Sequence, residues 1–228
     1  MAGKQIVLPS VNAEKVYVAK LLTEGNGETP PTYDTPKYLE GVREIGRKLK
    51  VDSAPYYHEG RKYLDEVTLS DIDFELSLTD LLDTDEAYIL GHELAAGGGI
   101  IRNENDAAPT LAILYKTNKA NKNGQKVDQY DVLYAVTFQD YDTDIKSKEG
   151  KANFQDVKIK GNARPLNNGL WSYKVRTDSD GEETTTTIEN FFEKVVIPKK
   201  KAQRMKEKNT SEEINEKSKS IKIDKENK

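Results

Sequence analysis

The chain has 228 residues, with 35 Lys/Arg against 39 Asp/Glu for a formal net charge of -4, and only 36% of its residues are hydrophobic. No apolar run approaches the roughly 18 residues that cross a bilayer, which excludes a transmembrane helix, and residues 1–10 (MAGKQIVLPS) predict no secretion signal. Cysteine is absent, which removes disulfides, thiolate metal sites and cysteine nucleophiles, and suits synthesis in a reducing cytoplasm.

The charge is unevenly spread. Residues 198–228 hold eleven Lys/Arg and six Asp/Glu, leaving 24 basic and 33 acidic residues in 1–197. A body this acidic does not grip DNA through its phosphates, because that affinity comes from Lys/Arg displacing counterions.

In chain order, 16–23 (VYVAKLLT) and 42–51 predict strands, and 59–66 predicts a polar loop. Ile72, Phe74, Leu76 and Leu78 then alternate with Asp71, Asp73, Glu75 and Ser77. This period of two predicts a half-buried strand with one acidic face. Asp83 and Glu86 stand at capping-box spacing, and Gly91 can close the helix they start, with Ala87, Tyr88 and Leu90 on its apolar side. Residues 97–99 are three glycines, read as a turn between that helix and the next strand. The apolar run 110–116 (TLAILYK) predicts a central strand, and 130–138 another, with the Asn-Gly turn signal of 121–124 between them. The polar stretch 116–130 is longer than a two-residue hairpin loop and is expected to form a protruding ribbon. Strands follow at 154–160 and 171–176. A second helix is expected at 188–196, with Thr186 and Glu189 at capping-box spacing and Ile188, Phe191, Phe192 and Val195 as its stripe. Pro198 stops it, and the polar segment 198–228 is expected to be a disordered basic tail.

Strands at these spacings predict a mainly β fold, a sandwich or barrel with one or two short flanking helices. Residues 1–197 are expected to form its body and 198–228 an appendage.

The search for chemistry returns little. His58 and His92 have no second ligand at helical or ribbon spacing, and His92 reads as a cap or surface residue. The three glycines lack a following Lys-Ser/Thr, so no phosphate cradle is expected. Asp140, Asp142 and Asp144 alternate and could form at most a weak calcium loop. No nucleophile elbow occurs. The expectation is a protein with no catalytic site, metal or cofactor.

Several stretches in order carry a resemblance: VYVAKLLTEG, YDTPKYLEGVREI, APYYHEGRKYLDEVTLSDIDFELSL, DEAYILGHEL, NDAAPTLAILYKTNKANKNG, YDVLYAVTF and FFEKVVIP. They are spread from Val16 to Pro198, about four-fifths of the chain, and no single one is highly specific. In this order they resemble the major tail protein family of long-tailed phages that infect Gram-positive bacteria. The resemblance implies a structural virion protein, made in the host cytoplasm, that assembles into hexameric rings stacked as a tail tube. Its implied partners are further copies of itself, the tape measure, tail terminator and distal tail proteins, and DNA in transit without sequence preference; no membrane is involved. The acidic row Asp71, Asp73 and Glu75 is then expected on the lumen wall, where it repels phosphate. Two other readings stay open. One is the tube of a phage-derived injection or secretion system; the other is a β-sandwich binding module using Trp171, Tyr56 and Tyr57.

Overall fold

A computed structural model describes residues 5–26, 29–142, 156–181 and 183–199. The chain divides into two units, Met1–Val196 and Ile197–Lys228. Of the second, only 197–199 are described, and these form neither helix nor strand. The expected disordered tail otherwise lies outside the described residues.

The first unit is mainly β. Its strands are β1 (Ser10–Thr23), β2 (Thr32–Tyr33), β3 (Lys37–Leu39), β4 (Val42–His58), β5 (Arg61–Leu78), β6 (Glu93–Leu94), β7 (Ile100–Ile101), β8 (Thr110–Ala120), β9 (Lys126–Phe138), β10 (Val157–Ala163) and β11 (Ser172–Arg176). Two short helices, α1 (Asp83–Leu90) and α2 (Thr184–Glu189), flank them. Nine strands make one antiparallel sheet in the order β2-β1-β8-β9-β10-β5-β4. β3 also pairs β1, and β11 pairs β9. β6 and β7 form a separate pair around the three glycines, which therefore turn a small hairpin.

The sheet is curled into a barrel-like form by its own connectivity. β3 and β4 lie at opposite ends of the order β3-β1-β8-β9-β10-β5-β4. Six strand spacings of a flat sheet would separate them by about 29 Å, yet only Glu40 and Gly41 join them, a span of at most about 11 Å. The two edges must therefore approach each other. Gly41 makes the corner at φ +80°, and its carbonyl accepts a hydrogen bond from the Thr79 N–H (2.8 Å) at the end of β5.

The enclosed space is filled by apolar side chains, on β5 those of the face that the alternation predicts. Ile72, Phe74, Leu76 and Leu78 of β5 meet Val16 and Val18 of β1, Leu111 and Ile113 of β8, Leu133, Val136 and Phe138 of β9, and Ile159 of β10. The Phe74 and Phe138 rings lie 6.0 Å apart in a tilted pair. Gly161 permits this packing, since a Cβ there would fall 2.8 Å from the Thr137 carbonyl oxygen and 2.9 Å from the Phe138 ring. β9 is shared on one edge, pairing β11 through 129–133 and β10 through 136–138. The sheet splays at that point.

Helix α1 ends as expected at Gly91, with φ +80°. A Cβ on Gly91 would come within 2.3 Å of the Ala107 carbonyl oxygen, so the close approach of that loop requires glycine as well. The expected capping box is not made. Leu82 occupies the N-cap position without a side-chain cap bond, and the Glu86 carboxylate is engaged elsewhere. The buried residues of α1 are Asp85, Glu86, Ile89 and Leu90, with Asp85 2.9 Å from the Lys37 ammonium.

Helix α2 is shorter and earlier than expected, because the four threonines belong to it and its register breaks at Asn190. Phe191 and Phe192 follow it in a turn. Phe191 stacks near Tyr130 (5.3 Å) and Phe192 near Tyr17 (4.6 Å), which holds this segment on β9 and β1.

Candidate self-assembly surface

The protruding ribbon is not where the loop length suggested. β8 and β9 are joined by a compact turn, 121–125, in which the Asn121 carboxamide accepts from the Asn123 and Gln125 N–H groups and Gly124 takes φ +77°. The turn signal is real, but β1 pairs β8 out to Lys119, so that hairpin is part of the sheet. The arm that leaves the body is instead β4–β5, of 17 and 18 residues. β10 accompanies β5 only down to Ile72. From Asp71 to Arg61 the ribbon extends about 33 Å at 3.3 Å per residue.

The stretch 59–66, expected to be a polar loop, is mostly strand. A two-residue turn closes the arm with Glu59 at φ +51° and Gly60 at φ +74°. These are the signs of a type I′ turn, whose twist matches that of the flanking strands.

All residues from Arg47 to His58 and from Arg61 to Thr68 are exposed. Among them are Leu49, Val51, Tyr56, Tyr57, Tyr63, Leu64 and Val67, each at least 47% accessible. Two irregularities shape the ribbon, where Ser70 and Tyr63 of β5 are extra residues opposite Lys50–Val51 and Tyr56–Tyr57 of β4. Two backbone edges are unpaired among the described residues: the outer edge of β4, and that of β5 below Ile72. Lys48, Lys50, Pro55 and the bulges restrain indiscriminate strand addition along these edges. A two-stranded ribbon of this length buries too little to be stable by itself in water.

The sequence-derived candidates Asp71, Asp73 and Glu75 sit where the arm joins the body, and they point away from the core as the alternation requires. Their surroundings differ from the expected bare acidic row. The Lys50 ammonium lies 2.6 Å from Asp73 and 3.6 Å from Asp71, and Lys158 lies 3.9 Å from Glu75. Lys48 stands opposite Asp73 on β4, and Lys160 opposite Glu75 on β10. In an antiparallel pair, opposite residues share a face. Four lysines therefore flank the three carboxylates, and Lys50 is held above its ordinary pKa chiefly by its hydrogen bond to Asp73. The sequence missed this because the compensating charges lie on two other strands.

A second charged cluster was also missed. His92, expected as a surface residue, has a side chain only 4% exposed. Its Nδ1 lies 2.8 Å from Asp106 and its Nε2 3.1 Å from Asp140. Glu86, 3.9 Å away, accepts two hydrogen bonds from Arg102 (2.6 and 3.0 Å) and one from the Tyr141 hydroxyl (2.9 Å). The cluster ties the end of α1, the loop after β7 and the end of β9 together. Burial opposes charge on His92, but its hydrogen bonds to the Asp106 and Asp140 carboxylates outweigh it and raise its pKa. Asp140 is thus committed to His92 rather than to a calcium loop, and Asp144 lies outside the described residues. Among the described residues, no group of three or more acidic or histidine side chains is arranged to hold a metal. No helix there is long and apolar enough to cross a membrane.

Trp171, Tyr56 and Tyr57 do not form one aromatic patch. Trp171 packs against the core, with the Arg47 guanidinium 5.6 Å from its ring, while Tyr56 and Tyr57 sit far out on the arm. Scans against protein-family models and against curated proteins find no match for this chain.

Proposed function

We propose that the chain is a structural subunit that assembles with copies of itself into stacked rings, the tube of a long-tailed phage. The observation that carries this reading is the β4–β5 arm, with unpaired edges and exposed apolar side chains, anchored to a well-packed barrel-like body. Such a ribbon gains its order from neighbours, either through strand pairing at its edges or through side chains seated on an adjoining body. The order of sequence features that resembles major tail proteins supplies the particle to which this assembly belongs. Partners are then the tape measure, terminator and distal tail proteins, with DNA passing through the tube.

In this assembly Asp71, Asp73 and Glu75 face the lumen together with their four lysines. The wall is an alternating ionic lattice rather than a uniform negative field. It keeps DNA mobile by engaging its own charges internally, leaving few free ammonium groups for phosphates.

Replacing residues 52–68 with a two-residue Asn-Gly turn, which joins the paired Val51 and Leu69, tests the reading. The shortened chain should keep its far-ultraviolet circular dichroism and cooperative melting, because the removed residues bury nothing in the body. It should sediment as a monomer at concentrations where the full chain forms large species. Assembly of the shortened chain to the same size would rule out the arm as the assembling element.

A further inference from the structure

At the end of the sheet that bears the arm lies a groove of about 360 Å³, bounded by Val11, Asn12, Lys116, Asn118, Lys119 and Lys126. That volume is in the range of pockets that hold a compact side group or small ligand. Three of these residues are lysines, against one lining aspartate, Asp128. The Lys116 ammonium is 2.9 Å from Asp128, and that of Lys119 is 3.1 Å from the Ser10 hydroxyl, so their aliphatic stems lie along the groove. Glu14 also reaches the Lys116 ammonium, at 3.6 Å, so the free positive charge of the groove lies on Lys119 and Lys126.

The tip of the arm offers the complementary groups. Tyr56, Tyr57 and Tyr63 are 61%, 61% and 77% exposed. Each has a flat apolar ring that attracts cations to its face and a hydroxyl that can donate. Residues 59–66 around the tip hold Glu59, Asp65 and Glu66 against Arg61 and Lys62, a net negative charge facing a net positive groove.

Strand direction puts the two features at one level. Along β8-β9-β10-β5-β4 every pair is antiparallel, so β4 runs in the same sense as β8. The tip that ends β4 and the groove at the end of β8 therefore share one end of the sheet. A neighbour rotated about an axis along the strands presents its groove at the height of the tip. A contact joining two different patches in this way is heterologous, and it closes into a ring when the rotation closes.

We propose that the aromatic tip, Tyr56, Tyr57 and Tyr63, seats in the groove formed by residues 11–12 and 116–128 of a second copy of this chain. A tyrosine ring lies against the lysine stems, its face toward the ammonium groups. This contact rests on the self-assembly reading and specifies the lateral interface within a ring.

The absence of cysteine makes the test direct. Full-length chains carrying Tyr63→Cys are mixed with chains carrying Lys126→Cys and oxidised, alongside a control pair of Tyr63→Cys with Thr185→Cys on α2. All three positions are exposed, so folding is retained. The expected result is a disulfide-linked dimer from the first pair, at least several-fold above the control. Assembly with cross-linking at the control level would overturn the tip-in-groove contact while leaving self-assembly standing. Failure of the unaltered chain to assemble at any concentration would remove both. A dilute double variant, Tyr63→Cys with Lys126→Cys, should remain uncross-linked as a monomer; an intramolecular disulfide would show the tip folding back on its own groove and would also overturn the proposal.

Discussion

Both ring nitrogens of His92 face carboxylate oxygens, an arrangement that favours the doubly protonated ring. The unfolded imidazole titrates near pH 6.5, and the folded value is higher. Stabilisation from this cluster is therefore complete below about pH 6.5 and is lost as pH rises through the folded value. The melting temperature should decline on raising the pH from about 6 to about 9, with a much weaker decline in His92→Gln. An identical pH profile for the two proteins would exclude the imidazolium clamp. Asp131 has the opposite character. It is 4% exposed on β9, and burial raises its pKa although Gln129 donates to it at 2.6 Å. Its charged form is disfavoured, so Asp131→Asn should leave stability at pH 7 unchanged or increased. A loss above about 2 kcal/mol in urea unfolding would mean the charge is needed. Gly91→Ala should destabilise strongly, since it combines φ +80° with the Ala107 carbonyl at 2.3 Å from the added methyl carbon.

At the scale of elements, strands whose one face packs inside were legible from their alternation. Ile72 to Leu78 fall where the period of two places them, because burial of one face fixes register, whereas β9 is buried on both faces and an irregularity between Leu133 and Val136 brings both into the same core. Phe138→Ala, which opens a void beside Phe74, should cost about 3–5 kcal/mol in chemical unfolding. The arm was not legible, because its side chains face solvent on both sides and leave no periodic signal beyond Val51. Its turn also lacks the Asn-Gly pair, since Glu59 itself takes the left-handed conformation. The helix ends were misjudged for a related reason. Capping-box spacing was present at Asp83 and Glu86, but Arg102, 16 residues further on, captured the Glu86 carboxylate. The acidic row was read correctly in direction and incompletely in charge, for the lysines of β4 and β10 become its neighbours only on folding. Replacing Asp71, Asp73 and Glu75 together with Lys would place seven lysines on one face. In an assembled tube, this change should make DNA adhere to the wall and slow ejection most at low salt. Ejection at the normal rate would put the face on the exterior.

At the scale of the whole molecule, a well-packed body carries an exposed arm that the proposed assembly would cover. The composition of residues 198–228 breaks from that of the body at Pro198, beyond the last packed aromatic, Phe192. A chain ending at Lys199 should fold and assemble as the full chain does, as judged by sedimentation; loss of assembly with folding intact would make the tail an interface element. The central claim, that this chain polymerises into stacked rings, is tested most directly by negative-stain electron microscopy of the concentrated, purified protein. Six-fold rings and hollow tubes are expected; a monodisperse monomer at every concentration and salt condition would overturn the assembly reading.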